Sequence, residues 1–398
     1  MNNLSIITLK SINKMILFIL LITPIFTILD LMLQQGYSTI STPFYIKIIK
    51  DMAFLLITII SFIFILKNYK IQKIQLIFGS IIFIIIIMSL LKYNNIYMYL
   101  SGIRWIMPFL LAVILMKFIK KDLLVNIAYI IFILFTITLI FQIYEAFTVG
   151  NYYGQMRLNI ISARTSGFYA YPTSLGFFLI VVFFVTYFYG KGKLRTITLY
   201  LIPFSILLAN SKTAMVTYIL ILLIIKFYKK LDILIAFIPI VISVLFGLIY
   251  YFNHQSITQS FAARIGFFVD NTLNAGLIGS FGQATSIFQS LKGLINIELN
   301  VIYADSFIGA LPVNIGFIGF IIFMCLYVFL LILSFRTSNL QFTIFLVIYG
   351  LFSLTMSITE AFPMNLLFSV FLAYYLNQYK IIDWKIKYHK NIENQGEL

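Results

Sequence analysis

The sequence predicts an all-α fold, a polytopic transmembrane helical bundle of about 12 spans, on three observations. The chain is 62% hydrophobic and only 10% charged, with a mean hydropathy of +1.03, whereas soluble domains carry about 25% charged residues. Apolar runs of roughly 20 residues, the length that crosses about 30 Å of hydrocarbon, recur along it. Basic residues fall in the short loops between these runs. We therefore expect one integral membrane domain over residues 1–398, with lipid covering its outside.

The apolar runs define the individual spans. The first follows Met1 to Lys14; it is long enough to cross a membrane and no small-residue cleavage site accompanies it, so we expect an uncleaved helix. The seventh and eighth meet at residues 210–212 and are alternatively one interrupted hairpin. The predicted spans are 15–34, 49–66, 74–91, 100–118, 123–146, 173–189, 197–210, 213–228, 231–252, 313–335, 340–358 and 365–379.

The distribution of positive charge orients the spans. A net charge of +16 would indicate nucleic-acid binding in a soluble protein, but no loop combines basic and aromatic residues in the manner of a nucleic-acid site. With both termini in the cytoplasm, 19 of the 28 basic residues fall in cytoplasmic segments, as the positive-inside rule requires. These are Lys10, Lys14, Lys67, Lys70, Lys73, Lys117, Lys120, Lys121, Lys191, Lys193, Arg195, Lys226, Lys229, Lys230, Arg336, Lys380, Lys385, Lys387 and Lys390.

Two outer segments are long in an otherwise minimal chain, and such segments are usually functional. The first extracytoplasmic loop covers residues 148–172 and the second covers 253–312. Apolar residues recur at helical spacing over 257–273 and again over 287–295, which predicts amphipathic helices on the outer face.

Basic residues on the outer side are informative because topology does not require them there. Guanidinium and ammonium groups in that position are suited to an anionic ligand, and guanidinium makes forked contacts with phosphate oxygens. The alternative, which applies most to Arg157 and Lys292, is that the side chains extend to lipid headgroups. The residues concerned are Arg104, Arg157, Arg164, Lys212, Arg264 and Lys292.

Two carboxylates lie at predicted membrane boundaries. Asp305 directly precedes one span and Glu360 lies at the outer end of another. A carboxylate in such a place is costly unless it is paired or solvated, so each is a functional candidate. The alternatives are a helix cap for Asp305 and a structural ion pair for Glu360. The single cysteine, Cys325, gives no disulfide and no thiolate metal cluster, and no metal site or cofactor is expected.

Four short motifs, in this order along the chain, resemble the family of O-antigen and capsular polysaccharide polymerases and ligases. The first, Arg-Thr-Ser-Gly-Phe-Tyr-Ala-Tyr-Pro at 164–172, resembles the Arg-x-x-Gly-Phe/Leu-x-x-x-Pro segment of that family. Asn-Ser-Lys-Thr-Ala at 210–214 resembles its Ser-Arg/Lys-Thr/Gly-Ala turn. Asp-Ser-Phe at 305–307, followed by Gly-Phe-Ile-Gly at 316–319, resembles the end of its large outer loop. Thr359-Glu360 before Pro363 resembles its penultimate span.

The resemblance implies a metal-independent glycosyltransferase in the bacterial cytoplasmic membrane. Its substrate would be a polyprenyl-diphosphate-linked oligosaccharide, and a chain-length regulator and a flippase are possible partners. Arg164 and Arg264 would contact the diphosphate, with Lys212 and Arg157 assisting. Asp305 would be the base for the acceptor hydroxyl, with Glu360 and Arg104 supporting the site. Positive charges placed in advance would stabilise the charge that develops on the departing diphosphate.

Three functions are compatible with these observations. The first is a polymerase that joins lipid-linked repeat units into a surface polysaccharide. The second is a ligase that transfers finished glycan to another acceptor. The third is a polysaccharide or solute transporter, which needs polar residues along its span interiors. The spans are nearly free of charge, and no phosphate-binding glycine loop or metalloprotease motif is present.

Overall fold

The computed structural model describes residues 3–25, 52–63, 79–81, 83–84, 87, 96–147, 165, 167, 169, 172–228, 266, 268–273, 276–285 and 306–378. These residues form helices and turns, without a β-strand among them. The helices that carry the bundle in this part of the chain are α1 Asn3–Leu21, α2 Ile96–Leu115, α3 Lys121–Phe147, α4 Pro172–Tyr189, α5 Gly192–Ala209, α6 Lys212–Phe227, α7 Phe307–Arg336, α8 Leu340–Ser353 and α9 Met364–Gln378. Residues 52–63 and 268–273 are also helical.

The apolar helices indicate a membrane protein and confirm the all-α fold class. In the described part of the chain, four helices are long and apolar enough to cross a membrane: α2, α3, α5 and α7. Several others are apolar but shorter, including α4 and α8. The prediction of about 12 spans is therefore not confirmed as a count. The predicted span at 231–252 lies outside the described residues.

Most helix bounds agree with the apolar runs, and several differ, among them the start of α5 at Gly192 instead of 197 and the end of α8 at Ser353 instead of 358. Helix α1 begins at Asn3, well before the predicted start at 15, and α2 begins at Ile96 instead of 100. Helix α7 begins at Phe307, inside the segment predicted as the second long loop. The cause is Ser306, whose side chain accepts a hydrogen bond from the Gly309 amide at 3.0 Å and so caps the helix before Pro312. The seventh and eighth predicted spans are two helices, α5 and α6, which meet at Asn210 in a left-handed conformation.

Hydrogen bonds from tyrosine side chains join the helices at one end of the bundle. Tyr189 at the end of α4 donates to Gln341 at 3.1 Å and lies 2.8 Å from the Tyr375 hydroxyl, which joins α4, α8 and α9. Tyr228 after α6 donates to the Ser334 carbonyl of α7 at 3.2 Å. We call this the basic end, because the helix ends and turns here carry Lys117, Lys120, Lys121, Lys191, Lys193, Arg195, Lys226 and Arg336.

At the basic end, the α2–α3 turn contains one partly buried cation. Burial lowers the pKa of the Lys117 ammonium group from its ordinary value, because desolvation penalises the charged form. Two other cations of this turn, Lys120 and Lys121, are exposed.

The opposite end of the bundle carries a salt bridge between Arg104 of α2 and Glu360, which lies in the turn between α8 and α9. We call it the ion-pair end. The start of α7 lies here too, since the Phe307 amide donates to the Met356 carbonyl of that turn at 3.1 Å. Farther along, the Ser369 hydroxyl of α9 donates to the Pro108 carbonyl of α2 at 2.8 Å, so α2 and α9 run in the same direction.

Helix α4 lies at the centre of the bundle. Every residue from Phe177 to Val185 is buried, and a helix that is apolar all round is typical of such a position. It contacts α3, α5, α6, α8 and α9. Aromatic contacts fix its place, among them Phe177 stacked on Phe352 of α8 with ring centroids 4.5 Å apart.

Helix α7 is broken, and a non-helical segment packs against the break. Gly316 has φ 73°, which interrupts the helix nine residues after its start. The inserted segment, residues 276–285, binds there: the Phe317 amide donates to the Gly276 carbonyl at 3.1 Å and the Ser280 amide donates to the Val313 carbonyl at 2.6 Å. Irregular backbone in a membrane protein needs such internal partners, because hydrocarbon provides none.

Candidate functional site

The Arg104–Glu360 salt bridge is the first feature of the site. Arg104 Nη1 lies 3.1 Å from Glu360 Oε1, and the side chains are only 18% and 8% exposed. Because α2 begins at Ile96, Arg104 lies roughly 12 Å along the helix from its start, at 1.5 Å per residue. A guanidinium at this depth is costly without a partner, and Glu360 provides one.

A large apolar cavity lies beside this pair. It has a volume of about 410 Å³ and extends between α2, α7, α8 and α9, from Trp105 and Ile358 to Leu330 and Leu376. Trp105 and Phe307 stack in its wall with ring centroids 5.0 Å apart. Its lining residue Ile322 is 45% exposed, so the cavity is reachable from the lipid-facing surface of the bundle.

Apart from Trp105 Nε1, the few polar side-chain groups in the wall of this cavity are already engaged. The Tyr327 hydroxyl donates to the Leu346 carbonyl at 2.9 Å, and the Ser353 hydroxyl donates to the Gly350 carbonyl at 2.6 Å. The cavity therefore offers an apolar interior and suits a hydrocarbon chain, while the charged pair lies near one end of it.

Several buried polar atoms near the pair have no hydrogen-bond partner among the described residues. They are Trp105 Nε1, next to Arg104 in the chain, and the hydroxyls of Ser357 and Thr359, which precede Glu360. Trp105 and Thr359 are 2% and 3% exposed. A buried donor or acceptor without a partner costs free energy, and in native structures it is uncommon enough to indicate a functional role.

The inserted segment packs against α2 at Met98 and Gly102. A Cβ at Gly282 would overlap the Met98 carbonyl, so only glycine permits this approach. The Asn314 side chain of α7 accepts from the Ala284 amide at 3.0 Å and donates to its carbonyl at 3.3 Å. Asn271 donates to the Gly309 carbonyl at 3.1 Å. Backbone and amide side chains thus fix the segment to both α2 and α7.

A second polar cluster holds the chain that leads into α4. Gln142 of α3 donates to the Thr165 hydroxyl at 2.9 Å and to the Ser205 carbonyl of α5 at 3.0 Å. The Gly167 amide donates to Glu145 Oε2 at 3.0 Å. Two residues of the first sequence motif, Thr165 and Gly167, are therefore anchored at the ion-pair end.

The structure places three of the predicted site residues at the ion-pair end. Arg104 and Glu360 are brought together, and Lys212 is the exposed first residue of α6 at the same end. The other predicted residues lie outside the described residues: Arg157, Arg164, Arg264, Lys292 and Asp305.

Sequence reasoning missed several polar residues at this end. Glu145 is 7% exposed inside an apolar run, and the cost of a carboxylate there was a usable signal. Asn314 of α7 is likewise a polar side chain inside an apolar run, and this was a usable signal too. Trp105 and Thr359 gave none, because tryptophan and threonine are common in apolar helices. In the described part of the chain, no group of three or more His, Cys, Asp or Glu residues is arranged to hold a metal ion.

Together the fold and this end define an all-helical protein with the apolar helices of a membrane protein and with a buried charged pair beside an apolar cavity. The chain matches no family model, no curated protein and no solved structure.

Proposed function

We propose that this protein is a polymerase that joins polyprenyl-diphosphate-linked oligosaccharide repeat units into a surface polysaccharide. It acts on the outer leaflet of a bacterial cytoplasmic membrane, with both termini in the cytoplasm. The positive-inside rule supports this orientation, because the basic end then faces the cytoplasm and the ion-pair end faces outward.

The observation that carries the proposal is the apolar cavity beside the Arg104–Glu360 pair. A polyprenyl-diphosphate is an amphiphile, with a long hydrocarbon chain and a doubly charged head. The cavity of about 410 Å³ is suited to part of the chain, and Arg104 at its end is suited to the head. The four sequence motifs point to the same substrate.

The proposed reaction suits the cations predicted for this end. Cleavage of the bond between sugar and phosphate leaves negative charge on the diphosphate, and nearby cations stabilise it. Arg164, Arg264 and Lys212 are the proposed contacts for this charge, with Arg157 assisting. Such an enzyme needs no nucleotide, because the lipid diphosphate is itself the leaving group.

One feature favours a carrier as the second candidate. Discontinuous helices such as α7 at Gly316 occur at the substrate sites of secondary transporters. Against it, the cavity wall offers hardly any free polar group to a hydrophilic solute. A carrier would move a labelled solute into sealed vesicles without forming a glycosidic bond.

The decisive experiment uses purified full-length protein in liposomes with a lipid-linked repeat unit. We expect a ladder of longer glycans without added nucleotide. Substitution Ile322→Trp, which fills the cavity, should raise the KM for the lipid-linked substrate about tenfold, since packed cavities do not accept added volume.

The matched control is Ile321→Trp, whose side chain is 44% exposed and lies outside the cavity lining. It should leave the KM unchanged. Wild-type protein that forms no glycosidic bond from this substrate would contradict the polymerase. Equal KM values for both tryptophan variants would instead contradict the cavity as the lipid site.

A further inference from the structure

The Arg104–Glu360 pair joins two groups that the proposed reaction uses separately. A guanidinium binds phosphate, and a carboxylate accepts a proton from a hydroxyl. In the structure the two side chains form a salt bridge with each other, with Arg104 Nη1 and Glu360 Oε1 3.1 Å apart. Hydrogens of the guanidinium therefore point at the oxygen that would accept a proton.

The surroundings provide what both groups need once they separate. Trp105 Nε1, on the residue that follows Arg104, is a donor for a phosphate oxygen, and the hydroxyls of Ser357 and Thr359, shortly before Glu360 in the chain, are suited to sugar hydroxyls. Arg104 lies on α2, where its neighbour Trp105 is stacked on Phe307. Glu360 lies in a turn, so we expect the carboxylate to move more easily than the guanidinium.

We propose, resting on the polymerase function above, that Glu360, and not Asp305 as the family resemblance implies, is the general base for the acceptor hydroxyl and that substrate diphosphate releases it from Arg104. The diphosphate makes forked contacts with the guanidinium and takes the place of the carboxylate. The base is thus exposed only when a lipid diphosphate is bound, which protects the donor from premature attack by water.

The chemical step balances as follows. The acceptor hydroxyl oxygen of one lipid-linked glycan attacks the anomeric carbon of another and forms the new glycosidic bond. The bond between that carbon and the diphosphate oxygen breaks, and its electron pair stays on the diphosphate beside Arg104. The acceptor proton passes to Glu360, which later loses it to water, and the salt bridge with Arg104 forms again.

The test measures turnover and KM for lengthening of the lipid-linked repeat unit in liposomes. Glu360→Gln should lower turnover about 100-fold or more, the contribution of a general base, with an unchanged KM. Arg104→Gln should raise the KM about tenfold, the loss of one charged contact, and lower turnover less. Asp270→Asn, which removes an exposed carboxylate from the helical segment next to Asn271, is the matched control and should change neither.

Two further variants separate catalysis from folding. The double variant Arg104→Gln/Glu360→Gln removes both charges of the pair, and the exchange Arg104→Glu/Glu360→Arg retains an ion pair. We expect both to fold and both to remain at the low turnover of Glu360→Gln. Turnover of the exchanged pair close to wild type would show that the pair is only structural and would overturn the role of Glu360.

The failure of this inference is distinguishable from failure of the polymerase. If the wild type lengthens the substrate and the turnover of Glu360→Gln is within about threefold of the wild-type value, the role of Glu360 as the base is rejected, but the polymerase function is not. Wild type that does not lengthen the substrate rejects both.

Discussion

The two ends of the bundle differ in how many of their buried polar groups have hydrogen-bond partners. At the basic end, Tyr189 is hydrogen-bonded to both Tyr375 and Gln341, and Tyr228 donates to the Ser334 carbonyl. At the ion-pair end, Trp105, Ser211, Ser357 and Thr359 each bury a polar atom without a partner among the described residues. Near the basic end a comparable atom belongs to Thr186, and Asn13 of α1 and Ser61 each bury one as well.

This difference indicates that the two ends have different roles, one in stability and the other in ligand binding. A network in which the hydroxyls are satisfied rigidifies the helices that it joins. Polar atoms that are buried and unsatisfied cost free energy, and they are retained where binding or catalysis uses them. The basic end therefore holds the helices together, and the ion-pair end is where a ligand is expected.

The largest effect we expect is in cysteine labelling, which should be all-or-none and which reports which end of the bundle faces outward. Lys212 and Lys193 are exposed lysines at the two ends of the bundle, separated by helix α5. In a Cys325→Ser background, Lys212→Cys should react with a membrane-impermeant maleimide on intact cells. Lys193→Cys should react only after permeabilisation, because basic loops remain in the cytoplasm. The reverse pattern would contradict the outward ion-pair end and the polymerase with it.

A smaller but still severe effect is expected in the inserted segment. Gly282 has φ 92° and a Cβ there would overlap the Met98 carbonyl, whereas Gly276 has φ 70° and open space around it. Gly276→Ala should cost only backbone strain, about 1–3 kcal/mol. Gly282→Ala should cost a further 1–3 kcal/mol or so from overpacking. Thermal unfolding in detergent measures both.

The glycine comparison also tests the ion-pair end. If Gly282→Ala unfolds no earlier than Gly276→Ala, the segment is not held against α2 as the structure shows. If Gly282→Ala unfolds only slightly earlier than Gly276→Ala but alone loses glycan lengthening, the contact matters for the site more than for the fold.

Much of the fold was predictable because apolar runs fix where helices form. Helix α3, predicted at 123–146, spans Lys121–Phe147, and α4 agrees as closely. The break at Gly316 was not predictable, because the run from 313 to 335 reads as continuous apolar sequence. Its cause is tertiary: residues 276–280 supply the hydrogen bonds that the broken helix lacks.

The site was predictable only one residue at a time. Arg104 and Glu360 were both identified because a charge near the membrane boundary is costly without a reason. Their pairing joins positions 256 residues apart, and no local pattern encodes such a contact. A structural ion pair was one of the readings open for Glu360, and the geometry shows the pair. Whether it also does chemistry is the question that the exchanged pair answers.

The smallest effect we expect is at the basic end and completes the comparison. Tyr189→Phe and Tyr375→Phe each remove one hydroxyl from a contact of 2.8 Å. Because hydrogen bonds between membrane helices contribute about 0.6 kcal/mol on average, the double-mutant cycle should give a coupling energy of that size. Reversible unfolding in mixed micelles measures it, and glycan lengthening should stay at the wild-type rate. A large loss of turnover with little change in stability would show that the basic end also takes part in function, and the division between the two ends would then be wrong.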